Sequence, residues 1–344
     1  MIKLFVCVIP AREVGVYMKL HRLFSAVLQL HKHTFGAPIA RFKPVRLFSI
    51  STQVNMRLVQ FRKQCGGAVR VGAEVSKDGD VVDLCEGDSK IPGDMKSFLE
   101  GGIDVLNAAK QVISSGQHIL KRDTISLLAP INNCDKVICI GMNYREHCIE
   151  QKFPIPTEPI FFNKFASTII ASGDDIIYPE VTTALDWEVE LVIVIGKGGK
   201  NIKESEAMDH VIGYTVAHDV SARDWQMKRN GGQWLIGKTM DTFCPLGPAI
   251  VTKDELSDPH NLGIRCRVNG VTMQNSNTNQ LIFNTMKTIE FLSRLVTLRA
   301  GDIILTGTPS GVGVFRKPEP VYLKRGDVVE CEIDEIGTIS NKVV

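Results

Sequence analysis

Beyond about residue 55, apolar positions fall mostly in short β-branched runs broken by Gly, Pro, Asn or Asp. MRLVQFRK and AVRVGAEV predict short strands, DMKSFLEGGIDVLNAAKQVISSG one or two helices, and TISLLAPI leads into a strand in KVICIGMNY. From there strands dominate: IIYPEV, DWEVELVIVIG, HVIGYTVAHD, LGPAIVT, IRCRVNGVTM, GDIILTGTP, VYLKRGDVVECEID and GTISNKVV. Helical stretches are fewer, namely NYREHCIEQ, VSARDWQMKRN and TNQLIFNTMKTIEFLSRLV. Helices do not alternate with strands, which argues against a doubly wound sheet and for a β-rich α+β roll. The expected organisation is a leader over 1–55, a small α+β region over 56–130 and a main domain over 131–344, with the boundary near Pro130–Asp135.

Charge sharpens the reading of the leader. Residues 1–55 carry eight Lys and Arg against a single acid, Glu13, and are rich in Leu and Phe. KLHRLFSAVLQLHKHTF can form an amphipathic helix, and basic, acid-poor leaders mark mitochondrial import. Within RLFSIS, Arg46 is followed by Phe48 and Ser51, the spacing of a two-step processing motif, so the mature chain is expected to begin near Met56 in the matrix. The remaining residues hold 32 basic and 37 acidic side chains, a balance that gives no electrostatic reason to expect nucleic acid. No apolar run approaches the roughly 20 residues that span a bilayer, so no membrane partner is expected. Nine scattered cysteines without a CxxC pair fit buried thiols of a reducing compartment.

The candidate chemistry begins in DWEVELVIVIG. Strand side chains alternate, so Asp186, Glu188 and Glu190 share one face, with Glu188 and Glu190 roughly 7 Å apart. The run Leu191 to Ile195 that follows predicts a buried strand. Two carboxylates entering a core need neutralising, and a divalent cation does that, although a solvated acidic edge fits the spacing alone equally well. HVIGYTVAHD ends at Asp219, where Ser221 and Asp224 suggest a capping box and a strand-to-helix junction. Three oxygen donors without clustered Cys or His favour Mg²⁺, with Mn²⁺ or Ca²⁺ possible, over Zn²⁺. In GMNYREHCIEQ, Asn143 and Glu146 suggest a second capping box, and His147 and Glu150 are helical neighbours able to act as a carboxylate-held general base. Lys238 follows Gly237 before a Pro-bounded turn, and TGTPSGVG forms a Gly-rich turn that is neither GxGxxG nor a P-loop.

Together the segments IGMNYREHCIEQ, DWEVELVIVIGK, GYTVAHDVSARDWQ, GKTMDTFCPLGP and ILTGTPSGVG resemble the fumarylacetoacetate hydrolase family over about residues 130–344. The resemblance implies a mixed β-sandwich roll, a homodimer and one catalytic Mg²⁺. It implies that Glu188, Glu190 and Asp219 ligate the metal, that Lys238 is the active-site lysine, and that His147 and Glu150 form an acid–base pair on a segment that closes as a lid. Arg223 and Gln226 match substrate-facing positions and Thr308 matches a residue that holds a substrate carboxylate. Lys164 of FFNKF matches less closely, because Asn163 stands beside it where relatives often carry another residue.

A 2-oxo acid can chelate the open half of such a site and enolise there. Tautomerisation, decarboxylation and C–C hydrolysis all start from that enolate, and the fold alone does not choose among them. The favoured expectation is oxaloacetate keto–enol tautomerisation, with acylpyruvate hydrolysis or oxaloacetate decarboxylation as alternatives. A catalytically silent, metal-stabilised scaffold dimer is a more distant one. N-terminal sequencing of the native protein is expected to start near Met56, and an intact residue 1–55 would refute the leader.

Overall fold

The apolar run after Glu190 lies in the interior of a 12-stranded mixed sheet, covered on both faces. The computed structural model describes residues 56–344. The expected leader, 1–55, lies outside the described residues. The first strands are β1 (Arg57–Lys63), β2 (Arg70–Glu74), β3 (Val81–Asp83), β4 (Ile119–Leu120) and β5 (Ile125–Leu128), with helices α1 (Met95–Glu100) and α2 (Gly102–Ser114) between β3 and β4. Next come β6 (Val137–Gly141), α3 (Arg145–Glu150), β7 (Ile160–Lys164), β8 (Ile169–Ile170), β9 (Leu185–Asp186), β10 (Val189–Ile195) and β11 (Val211–His218). The chain continues through β12 (Ser221–Ala222), α4 (Arg223–Met227), α5 (Leu235–Lys238) and β13 (Cys244–Thr252). It closes with β14 (Gly263–Val268), β15 (Val271–Asn277), α6 (Thr285–Leu295), β16 (Ile303–Leu305), β17 (Val328–Ile333) and β18 (Gly337–Lys342).

The main path of the large sheet runs β4-β3-β2-β1-β13-β11-β10-β16-β6-β7, with β5 beside β1 and β8 beside β13. Strands β14, β15, β17 and β18 form a second, four-stranded antiparallel sheet. Alternation along β10 assigns its faces. Leu191, Ile193 and Ile195 pack in one core with Ile264, Cys331 and Ile333 of the second sheet, and with Ile289 and Leu292 of α6. Val192 and Val194 pack in the other with Met95, Phe98 and Val112 of the two N-terminal helices. A strand buried on both faces needs an unbroken apolar run, which is what Leu191 to Ile195 supplies. The fold is therefore the expected strand-rich α+β sandwich, and β1 enters the same sheet as the later strands by pairing with β13.

Local expectations differ from the structure at four places. DWEVELVIVIG is not one strand: β9 and β10 are separated by Trp187 and Glu188. IIYPEV forms no strand beyond a bridge from Ile176 to Val343, and Pro179, which has no N–H to donate, follows directly after Tyr178. Asn143 and Glu146 make no capping box. Asn143 is fully buried, accepts from the Phe283 N–H at 2.8 Å, and donates to the Phe283 and Thr306 carbonyls at 3.0 and 2.8 Å. Glu146 instead accepts from Ser276 Oγ at 2.8 Å. Ser221 and Asp224 make none either: the Ser221 hydroxyl donates to the Asp219 carbonyl, Asp224 accepts from Thr182, and α4 starts after Ala222 without a side-chain cap. At Asn143 backbone groups of distant segments claim the side chain before the local helix end can, whereas Ser221 turns back to the carbonyl two residues before it and Asp224 is taken by the distant Thr182 hydroxyl.

Asn143→Leu keeps the volume but strands three buried backbone groups. It is expected to cost about 3 kcal/mol or more, read as a lower urea midpoint at unchanged slope.

Candidate metal centre and active site

Glu188 and Glu190 leave the same face of the chain at the start of β10, on the side that Val192 and Val194 occupy further along. The β10–β11 register, which pairs Val189 with His218, continues so that Asp219 lies opposite Glu188, and the Asp219 N–H donates to the Glu188 carbonyl at 2.8 Å. One carboxylate oxygen from each of Glu188, Glu190 and Asp219 lies within 4.8 Å of the others, and all three residues are buried.

Cations surround the three acids. Lys238 Nζ lies 2.8 Å from both Glu188 Oε2 and Asp219 Oδ2. Lys164 Nζ lies 2.7 Å from Asp219 Oδ1 and donates to the carbonyls of Val220, Lys238 and Phe243. Arg223 pairs through Nη2 with Glu188 Oε1 at 2.6 Å and through Nε with Asp186 Oδ2 at 2.7 Å. Its Nη1 donates to Gln226 Oε1 at 2.9 Å. Asp186 is itself fixed by backbone N–H groups of Trp187, Gly313 and Val314 at 2.7–3.0 Å. Among the described residues Glu190 has no cation in hydrogen-bonding reach; its Oε2 accepts from the Gly307 N–H at 2.7 Å.

Two glycines make this packing possible. Gly307 has φ +98°, and a Cβ there would sit 2.9 Å from Asn143 Cβ, so the TGTP turn can bring its N–H to Glu190 only with glycine. A Cβ on Gly237 would lie 2.6 Å from the Gln226 nitrogen, so α5 approaches α4 closely enough to bury Lys238.

Electrostatics follow from the layout. Burial alone raises the Glu188 carboxyl, but Lys238 and Arg223 outweigh it and hold the group well below the usual carboxylate range. Burial raises the Glu190 carboxyl, and Asp219 and Glu188 push it further up. Burial lowers the Lys238 ammonium, yet Asp219 and Glu188 overcome that and raise it, so it stays charged. Counting Asp186, Glu188, Glu190 and Asp219 against Lys164, Arg223 and Lys238 leaves one surplus negative charge, and Glu190 carries the strain of it. Three convergent hard oxygen donors with an uncompensated charge suit a divalent cation, so the residues fit the metal that the sequence implies.

The triad opens into a cavity of about 280 Å³. Its lining brings together seven of the expected residues: His147, Glu188, Glu190, Arg223, Gln226, Lys238 and Thr308. Asp219 and Lys164 stand behind them through the ion pairs described, and Glu150 holds His147, Oε2 lying 3.0 Å from Nδ1. The other Glu150 oxygen accepts from the Gly311 N–H at 3.0 Å, which ties α3 to the Gly-rich turn. Thr308 spends its hydroxyl proton on the Val189 carbonyl and accepts from Gln274. Met142, Phe162, Trp234 and Phe315 supply the apolar wall. Sequence reading missed three contributors. Asp186 was placed on the acidic face but not as the anchor of Arg223. Gln274 and Gln151 carry no local signal, because their partners are distant in sequence or appear only once the helix is formed.

The family profile described as fumarylacetoacetate (FAA) hydrolase C-terminal matches residues 136–344. The chain belongs to the fumarylacetoacetate hydrolase family. Within the family it is 62% identical over 301 residues to the mitochondrial oxaloacetate tautomerase of Xenopus laevis, covering 88% of this chain and 94% of that protein. The mitochondrial oxaloacetate tautomerase of Homo sapiens is 52% identical over 323 residues, covering 94% and 98%. Among solved members, the fumarylacetoacetate hydrolase of Exiguobacterium antarcticum is 34% identical at a TM-score of 0.67, covering 84% of this chain and 99% of its own. The maleylpyruvate hydrolase of Sphingobium sp. SYK-6, solved with manganese(II) ion and pyruvate, is 28% identical at a TM-score of 0.68 with the same coverage.

A divalent cation at a hundred times its dissociation constant is expected to stabilise the protein by about 2.7 kcal/mol, read as a rise in Tm. Glu190→Gln should abolish most of that rise; an equal rise in the variant would place the cation elsewhere.

Proposed function

We propose that the chain is a divalent-metal-dependent oxaloacetate keto–enol tautomerase of the mitochondrial matrix. The observation that carries this reading is a buried three-carboxylate cluster with one uncompensated negative charge, opening into a pocket beside the His147–Glu150 pair. The names of relatives at 52–62% identity support the substrate and the compartment. We assign Glu188, Glu190 and Asp219 as ligands and Mg²⁺ as the ion; the manganese in the maleylpyruvate hydrolase supports a divalent metal of this kind. A bound divalent cation supplies a Lewis acid that favours the enolate of a 2-oxo acid.

The chain's own residues do the rest. Lys238, kept charged between Glu188 and Asp219, holds both carboxylates in register and adds positive potential where substrate oxygens gather. Arg223 gives its Nε–H to Asp186 and one Nη1–H to Gln226 while Nη2 ion-pairs with Glu188, which leaves N–H groups on both terminal nitrogens for a substrate carboxylate. Gln226 and Thr308 line the same wall. His147, with Nδ1–H directed at Glu150, takes the C3 proton at Nε2 and returns it to oxygen, so donor and acceptor are one ring nitrogen.

The same proposal covers the organisation of the chain. All ten site residues fall within 131–344, with 56–130 as structural support and 1–55 as a removable leader. Solved relatives span 84% of this chain and nearly all of their own length, which supports a folded unit without a leader. A homodimer is supported by β7, an edge strand of the large sheet with Phe161 and the adjoining Phe165 about half exposed. The pyruvate bound in the maleylpyruvate hydrolase favours C–C hydrolysis or decarboxylation as the second reading.

With Mg²⁺ present, enol-oxaloacetate absorbance is expected to decay far faster than pyruvate appears, and Lys238→Met should lower kcat by about 100-fold or more. Pyruvate formed as fast as the enol disappears would replace tautomerisation with decarboxylation.

A further inference from the structure

Both nitrogens of the His147 ring are engaged. Nδ1 faces Glu150 Oε2 at 3.0 Å, and Nε2 lies 2.6 Å from Gln151 Nε2. A carboxylate can only accept, so the ring hydrogen belongs on Nδ1. Nε2 then carries a lone pair, and the Gln151 carboxamide donates to it. The same amide nitrogen reaches Met142 Sδ at 3.2 Å, which uses its second hydrogen. Gln151 lines the cavity together with His147, Glu188 and Glu190. The lone pair that has to receive a substrate proton is therefore covered in the free protein.

We propose that Gln151 is a positioning residue that holds His147 in its Nδ1–H form, caps Nε2 while the pocket is free, and yields that place to the substrate. The proposal rests on His147 being the base of the site and adds the residue that governs access to it. Gln151 immediately follows the last residue of α3, and its backbone N–H donates to the His147 carbonyl at 3.2 Å. The side chain has three rotatable bonds, so it can leave Nε2 without moving the helix. Proton transfer then balances within the site. The substrate C3–H bond breaks, its electron pair moves into the C2–C3 bond, the carbonyl pair moves to oxygen, and Nε2 gains the proton. Nε2 later releases that proton to the oxygen. While Nε2 is protonated, a turned carboxamide offers its oxygen, so one side chain matches both states of the ring.

The charged groups facing the ring are Glu150 on its own helix and Glu188 from the sheet, with Arg223 and Lys238 paired to Glu188. Phe315, with its ring centroid 6.1 Å away, and Met142 are uncharged. None of these is altered by Gln151→Met, which keeps the chain length and removes the donor.

The Gln151 N–H must leave Nε2 before a substrate can reach the lone pair, so it competes with substrate in the free protein. Removing it in Gln151→Met is expected to lower KM of the metal-loaded protein by about 2- to 10-fold. kcat, which starts from the substrate complex in which Gln151 has already moved away, should change by less than about twofold. A purely structural role would lower kcat or raise KM. Ring-nitrogen NMR of the substrate-free protein at fixed pH should show the His147 Nε2 resonance displaced in Gln151→Met, and this arm holds even if oxaloacetate is not the substrate. An unchanged Nε2 resonance in Gln151→Met, or a raised KM, would overturn the proposal.

Discussion

The structure turns on mutual repulsion among three carboxylates that have been taken out of water. Glu188, Glu190 and Asp219 converge within 4.8 Å at the end of two fully buried strands. Such a cluster is tolerable only if each acid is paired, hydrogen-bonded or bound to a cation. The partners are unequal. Asp219 has two ammonium groups, Glu188 has an ammonium and a guanidinium, and Glu190 has one N–H from a glycine. The imbalance leaves Glu190, beside a cavity, as the carboxylate whose charge is least compensated, and a bound cation would relieve it.

Much of the surrounding architecture holds those charges still. β10 is clamped between two cores, so the backbone that carries Glu190 has little freedom. Asp186 takes three backbone N–H groups, so Arg223 is anchored at one end before it reaches Glu188. Lys164 is held by three carbonyls and shares no surface with solvent, which makes it a fixed positive charge rather than a mobile one. Asn143 joins the end of β16 to the segment before α6, and so seats the TGTP turn that brings Gly307 to Glu190. Preorganisation of this kind is what lets a site act on charge as it develops without reorganising first.

These features were unequally legible in the sequence. The alternation of Glu188 and Glu190 against an apolar run could be read directly, because strand periodicity is local. Asp219 could be read as a strand-end residue, but its convergence on the other two depended on the β10–β11 register, a long-range fact. Both capping boxes were misread for the same reason in reverse. Asn143 and Asp224 have suitable local spacing, yet groups from far along the chain bind them instead, and Ser221 turns back to the Asp219 carbonyl. Lys164 shows most clearly what sequence leaves out. Nothing near it in FFNKF hints at a buried ion pair, yet it lies 2.7 Å from Asp219.

The remaining question is what such a site does with an enolised 2-oxo acid, and the pocket wall bears on it. Tautomerisation needs one proton moved between carbon and oxygen, which a single nitrogen of His147 can do. Hydrolysis needs in addition a water held on a second carbonyl. Met142, Phe162 and Phe315 face the cavity with groups that do not activate water, and Trp234 adds at most an indole N–H donor. Of the polar groups opposite them, Thr308 donates to Val189 and Glu150 is shared between His147 and Gly311, while Arg223 and Gln226 have only N–H groups left to offer, which do not activate water. A wall of this composition offers an attacking water no further base beside the proposed His147–Glu150 pair. It therefore favours proton transfer over attack by water, the chemistry that would demand least beyond His147 and its two flanking side chains.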